Sequence, residues 1–210
     1  METSHKTLSG LYAITDASTR DPKKIILDVE KSLRGGARVI QYRDKSSNQN
    51  LRQEVCYALR RLTKKFNATL IINDDIKLAL STKADGVHLG QTDAQLSEAR
   101  KQLGDNAIIG ISCYNRFDLA VQATREGANY IAFGRFFKSH TKPNAVTAET
   151  YLLQRAHQEL DIPIIAIGGI TVENGKALIK AGAHMLAVVD GLYGQQNIEA
   201  AASKFCSLFD

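Results

Sequence analysis

Two short apolar runs within residues 70–93, LIINDDIKLALSTKADGVHLGQTD, each lead directly into a carboxylate. The first, beginning at Thr69, ends at Asn73-Asp74, and the second, beginning at Gly86, passes through Gly90-Gln91-Thr92 to Asp93. If both runs are parallel strands joined by a helical crossover, their C-terminal ends share one side of the sheet, and Asp74 and Asp93 face each other across a cavity mouth. Two acids aimed at one point suit a divalent cation. Magnesium in particular takes one or two carboxylates and completes its shell with substrate phosphate oxygens. The competing use of the same two residues is as N-caps of the helices that follow, a common role for Asp.

Other run ends carry matching chemistry. QYRDK presents Gln41, Arg43 and Lys45 with period-two spacing, so an amide and two cations point the same way; the alternative is a solvated basic loop. Asn73 adjoins Asp74, and Ser112 ends the run IIGIS. His88 sits inside its run and reads as a hydrogen-bonded core histidine rather than a ligand. The segment Lys138-Ser139-His140-Thr141-Lys142-Pro143 offers hydroxyls and lysines that can hold phosphate or can simply be polar. Gly168-Gly169 and Val189-Asp190-Gly191 follow the last two runs, and glycines there let backbone N–H groups approach an anion.

These groups must be positioned by elements that the pattern supplies. Apolar runs begin at Gly10, Val39, Thr69, Gly86, Ile108, Tyr130, Pro163 and Met185, between 17 and 33 residues apart, room for a crossover helix each time. The runs lack clean alternation, as expected of parallel strands covered by helices. Leu51, Val55, Leu59, Leu62 and Phe66 fall on one helical face, and Ile25, Val29 and Leu33 form a stripe that Gly35-Gly36 ends. The pairs Gly36-Ala37, Gly127-Ala128 and Gly182-Ala183 mark similar helix-to-strand turns. Eight βα units in 210 residues predict a single-domain (β/α)8 TIM barrel over residues 1–210 with a short polar tail at about residues 1–8. A doubly wound open sheet is the alternative. In a barrel the loops after strands seven and eight are the usual phosphate site.

Composition narrows the partners. A net charge of +5 comes from lysines and arginines without a run of five, which argues against nucleic acid and for small phosphorylated ligands. No segment has the apolar length of a membrane span, and three scattered cysteines form no CxxC, so a cytoplasmic protein with reduced thiols is expected. A homo-oligomer is compatible with the sequence and not required by it.

The ordered set LYAITD, QYRDK, IINDD, DGVHLGQTD, IIGIS, AFGRFF with SHTKP, AIGGIT and AVVDGLYG resembles the thiamine-phosphate synthase family over nearly the whole chain. The resemblance implies a (β/α)8 transferase that joins hydroxymethylpyrimidine diphosphate to a thiazole phosphate with Mg2+, diphosphate leaving first and the thiazole nitrogen capturing the resulting cation. It further implies that Arg43, Lys45, Asn73 and Lys142 hold the diphosphate, with Arg43, Lys45 and Lys142 stabilising its departure. Asp74 and Asp93 would bind the metal, and Gln41 and Ser112 would contact the pyrimidine. Ser139, Thr141, Gly169 and the backbone of Val189 and Asp190 would serve the thiazole phosphate. Ser139 stands where many relatives have Thr, and Asp190 where many have Ser, placing a carboxylate beside a phosphate site. The alternatives are a thiazole tautomerase-type isomerase on the same barrel, which would not need Arg43, Lys45, Asp74 and Asp93 together, and a non-catalytic phosphate-binding barrel.

Overall fold

The computed structural model describes residues 8–16, 18, 19, 21–138 and 146–210. Eight strands form a closed parallel barrel in chain order: β1 (Gly10–Ile14), β2 (Val39–Tyr42), β3 (Thr69–Asn73), β4 (Gly86–Leu89), β5 (Ile108–Tyr114), β6 (Tyr130–Gly134), β7 (Ile164–Ile167) and β8 (Met185–Val188). Closure comes from β8 pairing with β1, with Gly10 opposite Met185 and Ala13 opposite Val188. The expected strand starts hold at seven of eight positions. At the eighth, Pro163 has no N–H to give and serves only as an acceptor, from Ile131 N–H at 3.0 Å, so β7 begins one residue later.

The helices are α1 (Pro22–Arg34), α2 (Gln49–Lys65), α3 (Ile76–Thr82), α4 (Leu96–Leu103), α5 (Phe117–Arg125), α6 (Tyr151–Glu159), α7 (Val172–Lys180), α8 (Asp190–Tyr193) and α9 (Ile198–Cys206). In α1 the stripe Ile25, Val29 and Leu33 is buried, each side chain worth about 1.5–3 kcal/mol of transfer free energy. In α2 the buried face is Val55, Cys56, Leu59 and Thr63, while Leu51 and Leu62 flank it half-exposed.

Strand alternation sorts the core into two layers. Leu11, Ala13, Ile40, Leu70, Ile72, Leu186 and Val188 point outward beneath the helices. Tyr12, Ile14, Val39, Ile71, Tyr130, Ala132, Ile165, Met185 and Ala187 fill the barrel interior. One residue further along the inward-facing register, at the C-terminal ends of the strands, the filling changes from apolar to polar and a cavity opens.

The opposite end of the barrel is sealed by repeated turns. After α1, α2, α3, α5 and α7, a residue at positive φ (Gly36, Asn67, Lys83, Gly127, Gly182) is followed by an alanine whose N–H returns to the carbonyl five residues back, as in Ala37 to Ser32 and Ala84 to Ala79 at 3.0 Å. Each is a Schellman stop. The residue after three of those alanines then completes the ladder with its side chain: Asp85, Asn129 and His184 accept from the N–H of Leu70, Ile109 and Ile164 at 2.8, 2.8 and 3.1 Å.

Candidate active site

The cavity at the C-terminal mouth has a volume of about 370 Å³ and is lined from all eight strands. Gln41, Arg43, Asn73, Ser112, Gly169, Val189 and Asp190, all expected at the site, are among its lining residues. Gln41 is only 3% exposed, on the same inward register as Val39 and Arg43, as the period-two spacing required. The Arg43 backbone is pinned by buried Thr15: the Arg43 N–H donates to Thr15 Oγ1 at 2.8 Å, and that hydroxyl donates to the Arg43 carbonyl at 3.2 Å.

Lys45, Asp74 and Asp93 form a cluster of their own. The Lys45 ammonium donates to Asp74 Oδ2, and the Asp74 and Asp93 carboxyls are themselves within hydrogen-bond reach. The capping alternative fails for both acids. The N-cap of α3 is Asp75, which accepts from Leu78 N–H at 2.9 Å and from Arg52 at 2.9 Å, and the N-cap of α4 is Gln95. Asn73, Asp74 and Asp75 therefore divide three tasks: cavity wall, mouth carboxylate and helix cap. Asp74 turns out of the strand at φ 64°, a left-handed conformation that Asp adopts more readily than most side chains. Asp93 instead folds back, accepting from Gly90 N–H at 2.7 Å.

The electrostatics of the two acids diverge. Burial acts to raise the Asp74 carboxyl, but donation from Lys45 and from the Asp93 carboxyl outweighs it and holds Asp74 below the ordinary range. Burial also lifts Asp93, against the Gly90 N–H, and the neighbouring Asp74 carboxylate adds to the rise. Two crowded carboxyls, one of which resists ionisation, are a donor set that a dication relieves. Among the described residues no group of three or more His, Cys, Asp or Glu could enclose a metal, so a cation held by these two would take most of its shell from other ligands. That fits magnesium held with phosphate oxygens better than an all-protein cage.

On the other side of the mouth, Gly168 and Gly169 sit at φ 104° and 62°. A Cβ on Gly168 would lie 2.2 Å from Arg135 Cβ, and one on Gly169 would lie 2.3 Å from the Lys138 carbonyl, so these glycines also admit the backbone that follows β6. Gly191 is similarly confined, 2.2 Å from the Ile170 carbonyl. Thr171 and Asn174 cap α7 reciprocally, and Asn174 Nδ2 donates to the Gly169 carbonyl at 3.0 Å, fixing the loop. Asp190 opens α8 as an exposed residue on the cavity rim. Ser139, Thr141 and Lys142 lie outside the described residues.

The sequence reading missed several wall residues. Arg135 adds a cation, Thr171 a hydroxyl and Tyr114 an aromatic ring, while Lys138, from the segment read as a candidate phosphate loop, also lines the wall. Tyr12 and Tyr130 lie in the barrel core, and their hydroxyls meet at 2.8 Å below the cavity. His88 is the hydrogen-bonded barrel histidine expected, its Nδ1 3.1 Å from Tyr130 Oη, and it also lines the cavity.

Comparison with known proteins adds an independent line. Residues 11–192 match the family model described as thiamine monophosphate synthase. The thiamine-phosphate synthase of Thioalkalivibrio sulfidiphilus is 47% identical over 203 residues, covering 97% of this chain and 96% of that protein. The thiamine-phosphate synthase of Saccharophagus degradans is 50% identical over 193 residues, covering 91% and 89%. Among solved structures, the thiamine phosphate pyrophosphorylase of Pyrococcus furiosus superposes with a TM-score of 0.85 at 30% identity, over 95% of this chain and 94% of that one.

Proposed function

Because this chain belongs to the thiamine monophosphate synthase family and is a transferase that makes thiamine phosphate from small phosphorylated substrates, we propose that its reaction takes place at the mouth between the Lys45–Asp74–Asp93 cluster and the glycine loops after β7 and β8. Hydroxymethylpyrimidine diphosphate lies with its ring against Gln41 and Ser112 and its diphosphate against Arg43, Lys45, Asn73 and Lys142. The thiazole phosphate is held by Ser139, Thr141, Gly169 and the N–H groups of Val189 and Asp190, whose carboxylate must turn outward; its exposure on the rim supports that. Asp74 and Asp93 hold Mg2+, which would neutralise charge growing on the departing diphosphate.

The observation that carries this reading is the meeting of Lys45, Asp74 and Asp93 beside a cavity that Arg43 and Asn73 line. Breaking the pyrimidine carbon to oxygen bond leaves negative charge on diphosphate, and the cations Arg43, Lys45 and Lys142 stabilise it where it forms; losing one such interaction costs about 3 kcal/mol, roughly a hundredfold in rate. The cavity holds the second substrate aligned for capture, so positioning replaces a nucleophilic side chain. Three free cysteines support a reducing, cytoplasmic setting.

The test is thiamine phosphate formation from the two phosphorylated precursors, with magnesium and then with excess chelator. Product that vanishes with chelator is expected. Full turnover in chelator would remove the metal from the site.

A further inference from the structure

Below the cavity floor four side chains form one hydrogen-bonded chain. Gln41 Nε2 donates to Tyr12 Oη at 2.8 Å, Tyr12 Oη meets Tyr130 Oη at 2.8 Å, and Tyr130 Oη meets His88 Nδ1 at 3.1 Å. Both tyrosines are fully buried, and the Tyr130 ring fits only because residue 110 is glycine: a Cβ there would lie 1.9 Å from Tyr130 Cζ. Each hydroxyl has a single hydrogen to give. Having accepted from Gln41, Tyr12 satisfies its own hydrogen by donating to Tyr130, and Tyr130 in turn donates to His88 Nδ1. The opposite direction at one link would leave a buried hydroxyl hydrogen without an acceptor, at about 1–3 kcal/mol. Only two arrangements of the whole chain are fully satisfied, and they differ in which end of the Gln41 amide faces Tyr12.

We propose that this chain is the device that selects the pyrimidine substrate: with His88 Nδ1 as the terminal acceptor, it fixes the Gln41 amide so that an aminopyrimidine is accepted and its oxo analogue refused. Tyr12, Tyr130 and His88 are thus positioning residues acting through Gln41, and the proposal rests on the reading that Gln41 meets the pyrimidine. With Nε2 anchored on Tyr12, Gln41 keeps its Oε1 and one remaining Nε2 hydrogen for the ligand. An acceptor beside a donor complements an exocyclic amine beside a bare ring nitrogen. It mismatches a carbonyl beside a ring N–H, the pattern of the oxo analogue. Burial first, outweighing the hydrogen bonds, raises the Tyr12 hydroxyl, and burial likewise raises Tyr130, so both keep their protons at working pH and each has one hydrogen to place along the chain.

The test compares kcat/KM for the aminopyrimidine diphosphate and its oxo analogue in the wild type, Gln41→Ala, Tyr12→Phe and Tyr130→Phe. The expected result is that each substitution lowers the amino-to-oxo preference about tenfold, the size of one or two net hydrogen bonds, while KM for the thiazole phosphate holds. If Gln41→Ala leaves the preference intact, the placement of Gln41 on the pyrimidine is wrong. If Gln41→Ala abolishes the preference and both tyrosine variants keep it, the chain is mere packing and this proposal falls. Ring-nitrogen NMR of His88 in the wild type decides independently of how the variants fold. A bare Nδ1 supports the stated direction, and a hydrogen on Nδ1 overturns it.

Discussion

Lys45 and Asp74 form an ion pair that leaves the lysine half-exposed, and such pairs contribute about 0–1 kcal/mol to stability. Its use is local: it keeps Asp74 ionised where Asp93, pressed against the same carboxyl, is pushed toward the neutral form. Asp93→Ala should therefore cost at least about a hundredfold in magnesium-dependent turnover with little loss of melting temperature, since the residue caps no helix. Near-normal turnover would end the metal assignment. Thr15→Val keeps the shape of a buried side chain but strips the Arg43 N–H and carbonyl of their shared partner. A loss of about 1–3 kcal/mol in denaturant unfolding is expected, with a raised KM for the pyrimidine diphosphate only. An unchanged KM would show that Arg43 needs no such anchor. At this scale the acids, Gln41, Arg43 and Asn73 were legible because polar residues end apolar runs. Tyr12, Tyr130 and Thr15 were not, because nothing in a sequence separates an inward tyrosine that packs from one that also passes on a hydrogen bond.

Elements were legible where glycine announces a turn. The three Gly-Ala turns stood out, while Asn67-Ala68 and Lys83-Ala84 make the same Schellman stop with a side chain in the left-handed region. A lysine there is the most costly occupant, so Lys83→Gly should stabilise the protein by about 1 kcal/mol and raise the melting temperature. Asn67→Gly should gain less, because Asn tolerates that conformation. Equal gains would mean that unfolded-chain entropy dominates. The side chains that complete the ladder at Asp85, Asn129 and His184 bring a pH dependence. Burial first, then the nearby His157, lowers the His184 pKa below its ordinary 6.5, and the Nδ1 that accepts from Ile164 must be bare. A folded-state pKa depressed in this way contributes stability that is present above pH 6.5 and is lost as pH falls through the lowered value. His184→Asn, which copies Asn129, should flatten the fall in melting temperature on acidification below about pH 6. A variant as acid-sensitive as the wild type would place that sensitivity elsewhere.

At the scale of the whole molecule, the barrel framework holds its two acids together, and a ligand that relieves their crowding stabilises the folded state alone. Magnesium and diphosphate added together at a hundred times their dissociation constant should stabilise the protein by about 2.7 kcal/mol. Either one alone should do much less, because on the proposed assignment two carboxylates would supply only part of a magnesium shell. Equal shifts from diphosphate without metal would mean that Arg43, Lys45, Asn73 and Lys142 hold diphosphate without it.

The pairing of β1 with β8 also orders events in time. Gly35, at the end of α1, lies so close to α9 that a Cβ would fall 2.3 Å from the Glu199 carbonyl and 2.6 Å from Ala202. The first strand and first helix thus reach their final neighbours only after the last have left the ribosome. At roughly 5–20 residues per second, β1 waits about 10–35 s for its partner, an exposed apolar strand edge for as long as translation lasts.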